Sequence, residues 1–344
     1  MHSKKLLMFS SIAFALASSA FIYLTSCAEN TRAQSVAPVG GQTSAGCRGN
    51  GPRLGSPGES PVVDKSSDSY LNEMIRNVVP KFQQIDYKDE LTGKSMKFNL
   101  FVPEKVDHTR KYPLVMFMAD ASTPGSRYTT PLTQGYGGLV WATDEWQKDH
   151  PCYVLVPQFS GVAVDDSYQH SEEVDIAIRM LDYVMRHNFV DDDRVYVTGQ
   201  SMGGMIAMYY NVMYPTVFAA SIFVDSHWNT DDFQQLAEHK FVYFVAGNSG
   251  KAYPEIKPLE EAAATDGVGF SFGEWSAKLP EAQQSELAAA MLDKGNPVNV
   301  IMFEPKSVLP ASGKGSEHMY SFDYAYKIPA VREWLFRQHR SERI

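Results

Sequence analysis

The sequence predicts an α/β domain: a mostly parallel, doubly wound sheet of about eight strands flanked by helices. Three observations carry this expectation. From Tyr70 to the C-terminus, short runs rich in Val, Phe, Ile and Tyr alternate with helix-length stretches. The last five runs are nearly continuous in apolar residues, as parallel strands covered on both faces require. One intervening stretch, 172–187, places Val174, Ala177, Ile178, Leu181, Val184 and Met185 on a single helical face.

Taken in chain order, the runs at 96–102, 114–118, 153–157, 195–198, 219–224, 241–246 and 298–303 read as strands. Helices are expected at 172–187, from Met202 to about Met213, and around 324–337. Strands alternating with helices in one sheet imply helices on both faces. Residues 265–296 stand between a helix and the last strand, and with a helical stem at 281–292 they are a candidate lid.

The 344 residues are 44% hydrophobic and 12% aromatic and include three cysteines. So much apolar material excludes a disordered chain, and so few cysteines exclude a disulfide-stapled miniprotein. A formal charge of −9 excludes a surface built to grip phosphate backbones, so no nucleic-acid partner is expected. The N-terminus reads as an address. Lys4 and Lys5 precede an uncharged, apolar and small run from Leu6 to Leu24, which ends in Leu24-Thr25-Ser26-Cys27. That ending resembles the lipobox of bacterial lipoproteins, with Cys27 as the lipidated residue; an ordinary cleaved signal and an uncleaved anchor are the alternatives. Cleavage before Cys27 removes Lys4 and Lys5 and no acid, which moves the charge from −9 to −11. Residues 28–69 hold seven Gly, four Pro and seven Ser without apolar periodicity, and read as a flexible tether. The expected organisation is therefore signal 1–27, tether 28–69 and body 70–344, at the bacterial cell envelope and membrane-bound through the lipid. In an exported chain Cys47 and Cys152 are either a disulfide or two unrelated thiols.

The chemistry begins where the strand 195–198 runs into Gly199-Gln200-Ser201-Met202-Gly203 and then into a helix. A serine on such a strand-to-helix turn is held strained and exposed, with small residues two before and two after it. The helix N-terminus then presents N–H groups to a developing oxyanion. Gly269-Phe270-Ser271-Phe272-Gly273 fits the same pattern. It lacks a preceding strand and a following long helix, so Ser271 is assigned to a loop and Ser201 to the nucleophile. Gly250-Lys251 suggests a phosphate loop only superficially, since Val245 and Ala252 stand where Gly and Ser or Thr are needed. The base is expected after the last core strand. His318 fits there; His227 is its competitor but would break the chain order of nucleophile, acid and histidine.

Residues 193–204, the strand beginning Tyr112-Pro113, the Val156-Pro157-Gln158 run and the segment Glu317-His318-Met319-Tyr320-Ser321-Phe322 together resemble the α/β-hydrolase superfamily. More narrowly they resemble the exported esterase and "predicted peptidase" group related to polyhydroxybutyrate depolymerases and feruloyl esterases. The similarity covers about Phe82 to Gln338. It implies the α/β-hydrolase fold, no cofactor and a backbone oxyanion hole, assigned by position to Ala121 and Met202. Two departures stand out. Met118-Ala119-Asp120-Ala121-Ser122 lacks the relatives' histidine, which leaves a backbone donor intact. The loop that normally carries the triad acid reads Gly247-Asn248-Ser249-Gly250-Lys251, with no carboxylate before Glu255. Three readings stay open: Asp225 supplies the acid from the neighbouring strand tip, Glu255 folds back, or the triad is a dyad and the protein is slow or has lost catalysis. Asp225 ranks first because the carboxyl ends of adjacent parallel strands meet at one edge.

The remaining features read plainly. Asp191-Asp192-Asp193 reads as a solvated cap in a turn, and no zinc-type spacing occurs, so no metal is expected. Tyr128, Tyr136, Trp228, Trp275 and Tyr320 are either cleft lining or ordinary packing. The expected activity is hydrolysis of a small-molecule or polymer carboxylic ester through Ser201, His318 and Asp225. Alternatives are a serine peptidase of the same fold, or a pseudo-hydrolase that binds a ligand. For the address, a Cys27→Ala protein is expected to lose labelled palmitate and partitioning with membranes, and retention of both would contradict the lipobox reading.

Overall fold

A computed structural model describes residues 63–342. The signal, Cys27, Cys47 and most of the tether lie outside the described residues. Nine strands form one sheet: β1 Gln83–Lys88, β2 Ser95–Phe101, β3 Tyr112–Met118, β4 Tyr153–Gln158, β5 Val190–Gln200, β6 Ala220–Val224, β7 Phe241–Ala246, β8 Phe270–Trp275 and β9 Val298–Phe303. Their order is β1-β2-β4-β3-β5-β6-β7-β9-β8. β1 pairs with β2 and β2 with β4 antiparallel, and every other pairing is parallel. The helices are α1 Ser69–Val78, α2 Thr130–Thr133, α3 Asp144–Asp149, α4 Glu172–His187, α5 Met202–Met213, α6 Phe233–Ala237, α7 Ile256–Thr265, α8 Glu281–Leu292, α9 Glu317–Lys327 and α10 Pro329–Phe336.

The period-2 alternation of each strand divides the core in two. Leu114, Met116 and Met118 of β3 face a layer with residues of α4, α5, α6 and α7. Val115 and Phe117 of the same strand face a layer with residues of α1, α3, α8, α9 and α10. The strand runs therefore had to be apolar throughout. In the second layer Trp141 stacks on Phe336 at 5.8 Å. α1 opens with the Asp68 carboxylate accepting the Leu71 N–H.

Two strands escape the sequence reading. β1 is an edge strand of mixed polarity, and β8 is the opposite edge, interrupted by Gly273. The segment expected as a lid is thus the edge strand β8 and the helix α8. Trp275, Met291 and Leu292 are buried in the second layer, because β8 pairs along the open edge of β9 and α8 lays its apolar residues against that layer. Ser271 lies in β8 rather than in a loop. The helix expected around 324–337 is two helices, starting earlier. Pro329 lacks the N–H that a continuing helix needs, and Ile328 before it is extended, with φ −83° and ψ 104°. The Asp191–Asp193 run sits in the first part of β5 rather than in a turn. Its carboxylates bind Arg194, Lys111 and His339.

Sheet order positions the site. β4 and β5 flank β3, so the chain turns to opposite sides after β3 and after β5 and opens a crevice at their carboxyl ends. The register pairs Gln200 with Val224 and Val224 with Phe244. Ser201 and Asp225, which follow Gln200 and Val224, therefore emerge level with each other on neighbouring strands.

Candidate active site

Ser201 follows β5 directly and caps α5. Its backbone has φ 51° and ψ −123°, a region costly for any residue with a side chain. Two glycines make the turn feasible. A Cβ on Gly199 would lie 2.2 Å from the Gly203 carbonyl oxygen, and one on Gly203 would lie 2.0 Å from that of Met118. The first turn of α5 thus packs against both strand ends with backbone alone. The Ser201 N–H continues the ladder to the Val224 carbonyl at 3.0 Å, and the Ser226 hydroxyl donates to the Ser201 carbonyl at 2.7 Å. The strain is held by bonds on both sides.

Ser201 Oγ lies 2.8 Å from His318 Nε2, and His318 Nδ1 lies 2.5 Å from Asp225 Oδ2. The three residues come from β5, α9 and β6 and form one hydrogen-bonded line. His318 sits in the first turn of α9, its ring edge-on to Phe322 one turn later at 5.0 Å. Glu317 fixes the start of that helix by accepting from Asn248 Nδ2 at 2.7 Å and from the Lys306 N–H at 2.9 Å.

The Asp225 side chain is fully buried. A buried carboxylate needs donors, and it has them. The Ala246 N–H donates to Oδ1 at 2.8 Å and the Ser249 hydroxyl to Oδ2 at 3.0 Å. Asp225 itself takes φ 42°, so Ser201 and Asp225 both stand in the left-handed region. Ser249 lies in the loop from which a carboxylate is missing, and its hydroxyl donates to the carboxylate supplied one strand away.

Glu255, the other acid considered, does not reach His318. It is buried at 7% exposure, and its Oε1 accepts the Trp228 N–H at 3.0 Å. The nearby Tyr243 hydroxyl gives its proton to the Ser226 carbonyl at 2.5 Å. Burial pushes the Glu255 carboxyl up to about 8, and the Trp228 N–H and the nearby Tyr243 hydroxyl offset only part of that, so at neutral pH it is mostly an uncharged group behind the loop that carries Asp225.

A cleft of about 570 Å³ lies over Ser201 and His318. Ala121 and Met202 line it, as do Val162, Val164 and Met205 on its apolar part, and Asp166, His227 and Lys251 on its charged part. His227 therefore enters the cleft without joining the line. Burial first, then the Lys251 ammonium, lowers its proton affinity. None of Tyr128, Tyr136, Trp228, Trp275 and Tyr320 lines this cleft, and Tyr136, Trp228 and Trp275 are buried packing. No residue of 265–296 lines it either. Cys152 is buried beside Gln147, 3.2 Å from its Nε2. Among the described residues no cluster of three His, Cys, Asp or Glu side chains suits a metal ion.

A sequence model of the prolyl oligopeptidase family (peptidase family S9) matches residues 167–319, from the loop before α4 to the start of α9. Comparison with curated proteins gives no match. Among solved structures, a thermostable esterase is 23% identical with a TM-score of 0.61, over 76% of this chain and 64% of its own. The chain thus spans less than two thirds of that esterase's length. A protein named FAE is 15% identical with a TM-score of 0.50, over 79% of this chain and 92% of its own. These likenesses establish a shared fold.

The raised Glu255 carboxyl makes stability depend on pH. Between the ordinary carboxyl value of 4.5 and about 8, the unfolded chain has released a proton that the folded chain keeps, so this group lowers stability as pH rises and stops doing so above about 8. In denaturant titrations Glu255→Gln is therefore expected to gain on the wild type steadily from about pH 5 to about pH 8. Parallel stability curves would contradict the assignment.

Proposed function

We propose that this chain, which has the α/β-hydrolase fold, is an exported, lipid-anchored serine hydrolase acting on carboxylic esters. The observation that carries the reading is the unbroken line of hydrogen bonds from Ser201 through His318 to a buried carboxylate, at the floor of an open cleft. In this reading Ser201 Oγ attacks the ester carbonyl carbon while His318 Nε2 takes its proton. The N–H groups of Ala121 and Met202 hold the tetrahedral oxyanion. Collapse breaks the bond to the alcohol oxygen, which receives the proton from Nε2, and leaves an acyl group on Ser201. Water then attacks the acyl-enzyme, again through His318, and releases the carboxylic acid. Asp225 holds the imidazole in the tautomer with its proton on Nδ1 and stabilises the imidazolium between transfers.

The fold shared with a protein named as an esterase supports the ester class. The match to the prolyl oligopeptidase family favours a second reading, a peptidase working by the same steps. A pseudo-hydrolase loses its motive, because the carboxylate absent from the Gly247–Lys251 loop has a counterpart in Asp225. Among the described residues no helix is long and apolar enough to cross a membrane. In this reading, attachment rests on Cys27.

Covalent labelling by a fluorophosphonate is expected for the wild type, and its complete loss in Ser201→Ala. Hydrolysis of p-nitrophenyl butyrate should fall with the labelling, while an alanyl p-nitroanilide should turn over far more slowly. An unlabelled wild type would remove the hydrolase reading, and faster anilide turnover would exchange ester for peptide.

A further inference from the structure

Loops from strand ends on opposite sides of the nucleophile meet above the cleft. The strap 161–170 leaves β4, whereas His227 follows β6 and Lys251 follows β7. In the sheet order β4 and β7 lie four inter-strand steps apart, about 19 Å, with β5 and its Ser201 between them. The strap and the loops after β6 and β7 close that distance between them. Asp166 pairs with Lys251, and its Oδ1 lies 3.4 Å from His227 Nε2. Beside it Tyr168, at φ 62°, sets its ring 5.9 Å from His227 and 5.3 Å from Trp228.

Base and tip of the strap are held differently. At the base the Ala163 N–H points at Met202 Sδ at 3.2 Å, the Ser171 N–H donates to the Ala163 carbonyl at 2.8 Å, and Val164 bridges to His170. Across the cleft the tip is held by the Asp166 charge contacts and by the Tyr168 ring against His227 and Trp228. Asp166 and Lys251 side chains are 73% and 55% exposed, so their pairing is weak, screened by salt and easily opened.

The chemistry gives the clasp a direction. His318 Nε2 must hand its proton to the leaving oxygen, so the alcohol part of an ester lies on the histidine side of the cleft. His227, Ser249, Gly250 and Lys251 line the cleft beside the buried Asp225 that holds His318. We propose that the Asp166–Lys251 clasp, together with His227, determines specificity by limiting the bulk of the leaving alcohol, so that the preferred substrates are esters of small alcohols. This rests on the ester-hydrolase reading.

The test holds the acyl group constant as butyrate and compares the naphthyl with the ethyl ester. In Lys251→Ala and in Asp166→Asn the naphthyl-to-ethyl ratio of kcat/KM is expected to rise about threefold, the scale of an exposed ion pair. The charge swap Asp166→Lys with Lys251→Asp should return the wild-type ratio. Raising sodium chloride from about 0.05 to about 1 M should move the wild type toward the variants and leave Lys251→Ala unmoved. The octanoate-to-acetate ratio of p-nitrophenyl esters should stay constant throughout. An unchanged alcohol ratio in both single variants, a swap that fails to restore it, or a shift in the acyl series instead would overturn the clasp and leave the ester reading intact. A wild type that hydrolyses none of these esters would remove both.

Discussion

The buried negative charge of Asp225 is the constraint on which the arrangement of the site depends. A carboxylate with no exposed surface is tolerated only where donors replace its water, and here the three come from three elements. The Ala246 N–H ends β7, the Ser249 hydroxyl follows it, and His318 Nδ1 arrives from α9. Because that same imidazole touches Ser201, the requirement to neutralise one buried charge also fixes the orientation of the His318 ring. Packing at the strand ends and the aim of the histidine are thus one problem with one solution.

Strain follows from the same requirement. Ser201 at φ 51° and Asp225 at φ 42° each leave a parallel strand by an abrupt turn, and each is costly on its own. Their N–H groups nonetheless remain in the ladder, on the Val224 and Phe244 carbonyls. The sheet therefore holds both turns in place. The uncharged Glu255 belongs to this support: through the Trp228 N–H it holds the loop that begins at Asp225 without adding a second buried charge beside the first.

Much of this was legible in the chain. The five apolar runs from 153 onward declared buried parallel strands, and Gly199 and Gly203 declared a turn with no room for side chains. The chain order singled out His318 over His227. The carboxylate beside His318 was harder, since Asp225 gains its place only through strand order: it is level with Ser201 because Gln200 pairs with Val224. Ser249 gave no signal at all, as a serine in a turn is ordinary until its hydroxyl is found on a carboxylate 24 residues away. β8 was missed for a comparable reason. An edge strand with a glycine in it carries weak alternation, and its pairing partner β9 lies beyond a whole helix. The crossing of Asp166 to Lys251 joins residues 85 apart and was likewise invisible.

The central claim is that the acid has moved to β6 and still works through His318. The most direct measurement is steady-state ester hydrolysis by Asp225→Asn beside Glu255→Gln, both checked for folding. The account predicts a fall in kcat of about 10³ to 10⁴ for Asp225→Asn, because the amide stabilises the wrong imidazole tautomer, and near wild-type turnover at neutral pH for Glu255→Gln. Full activity in Asp225→Asn, or the large loss appearing in Glu255→Gln instead, would contradict it.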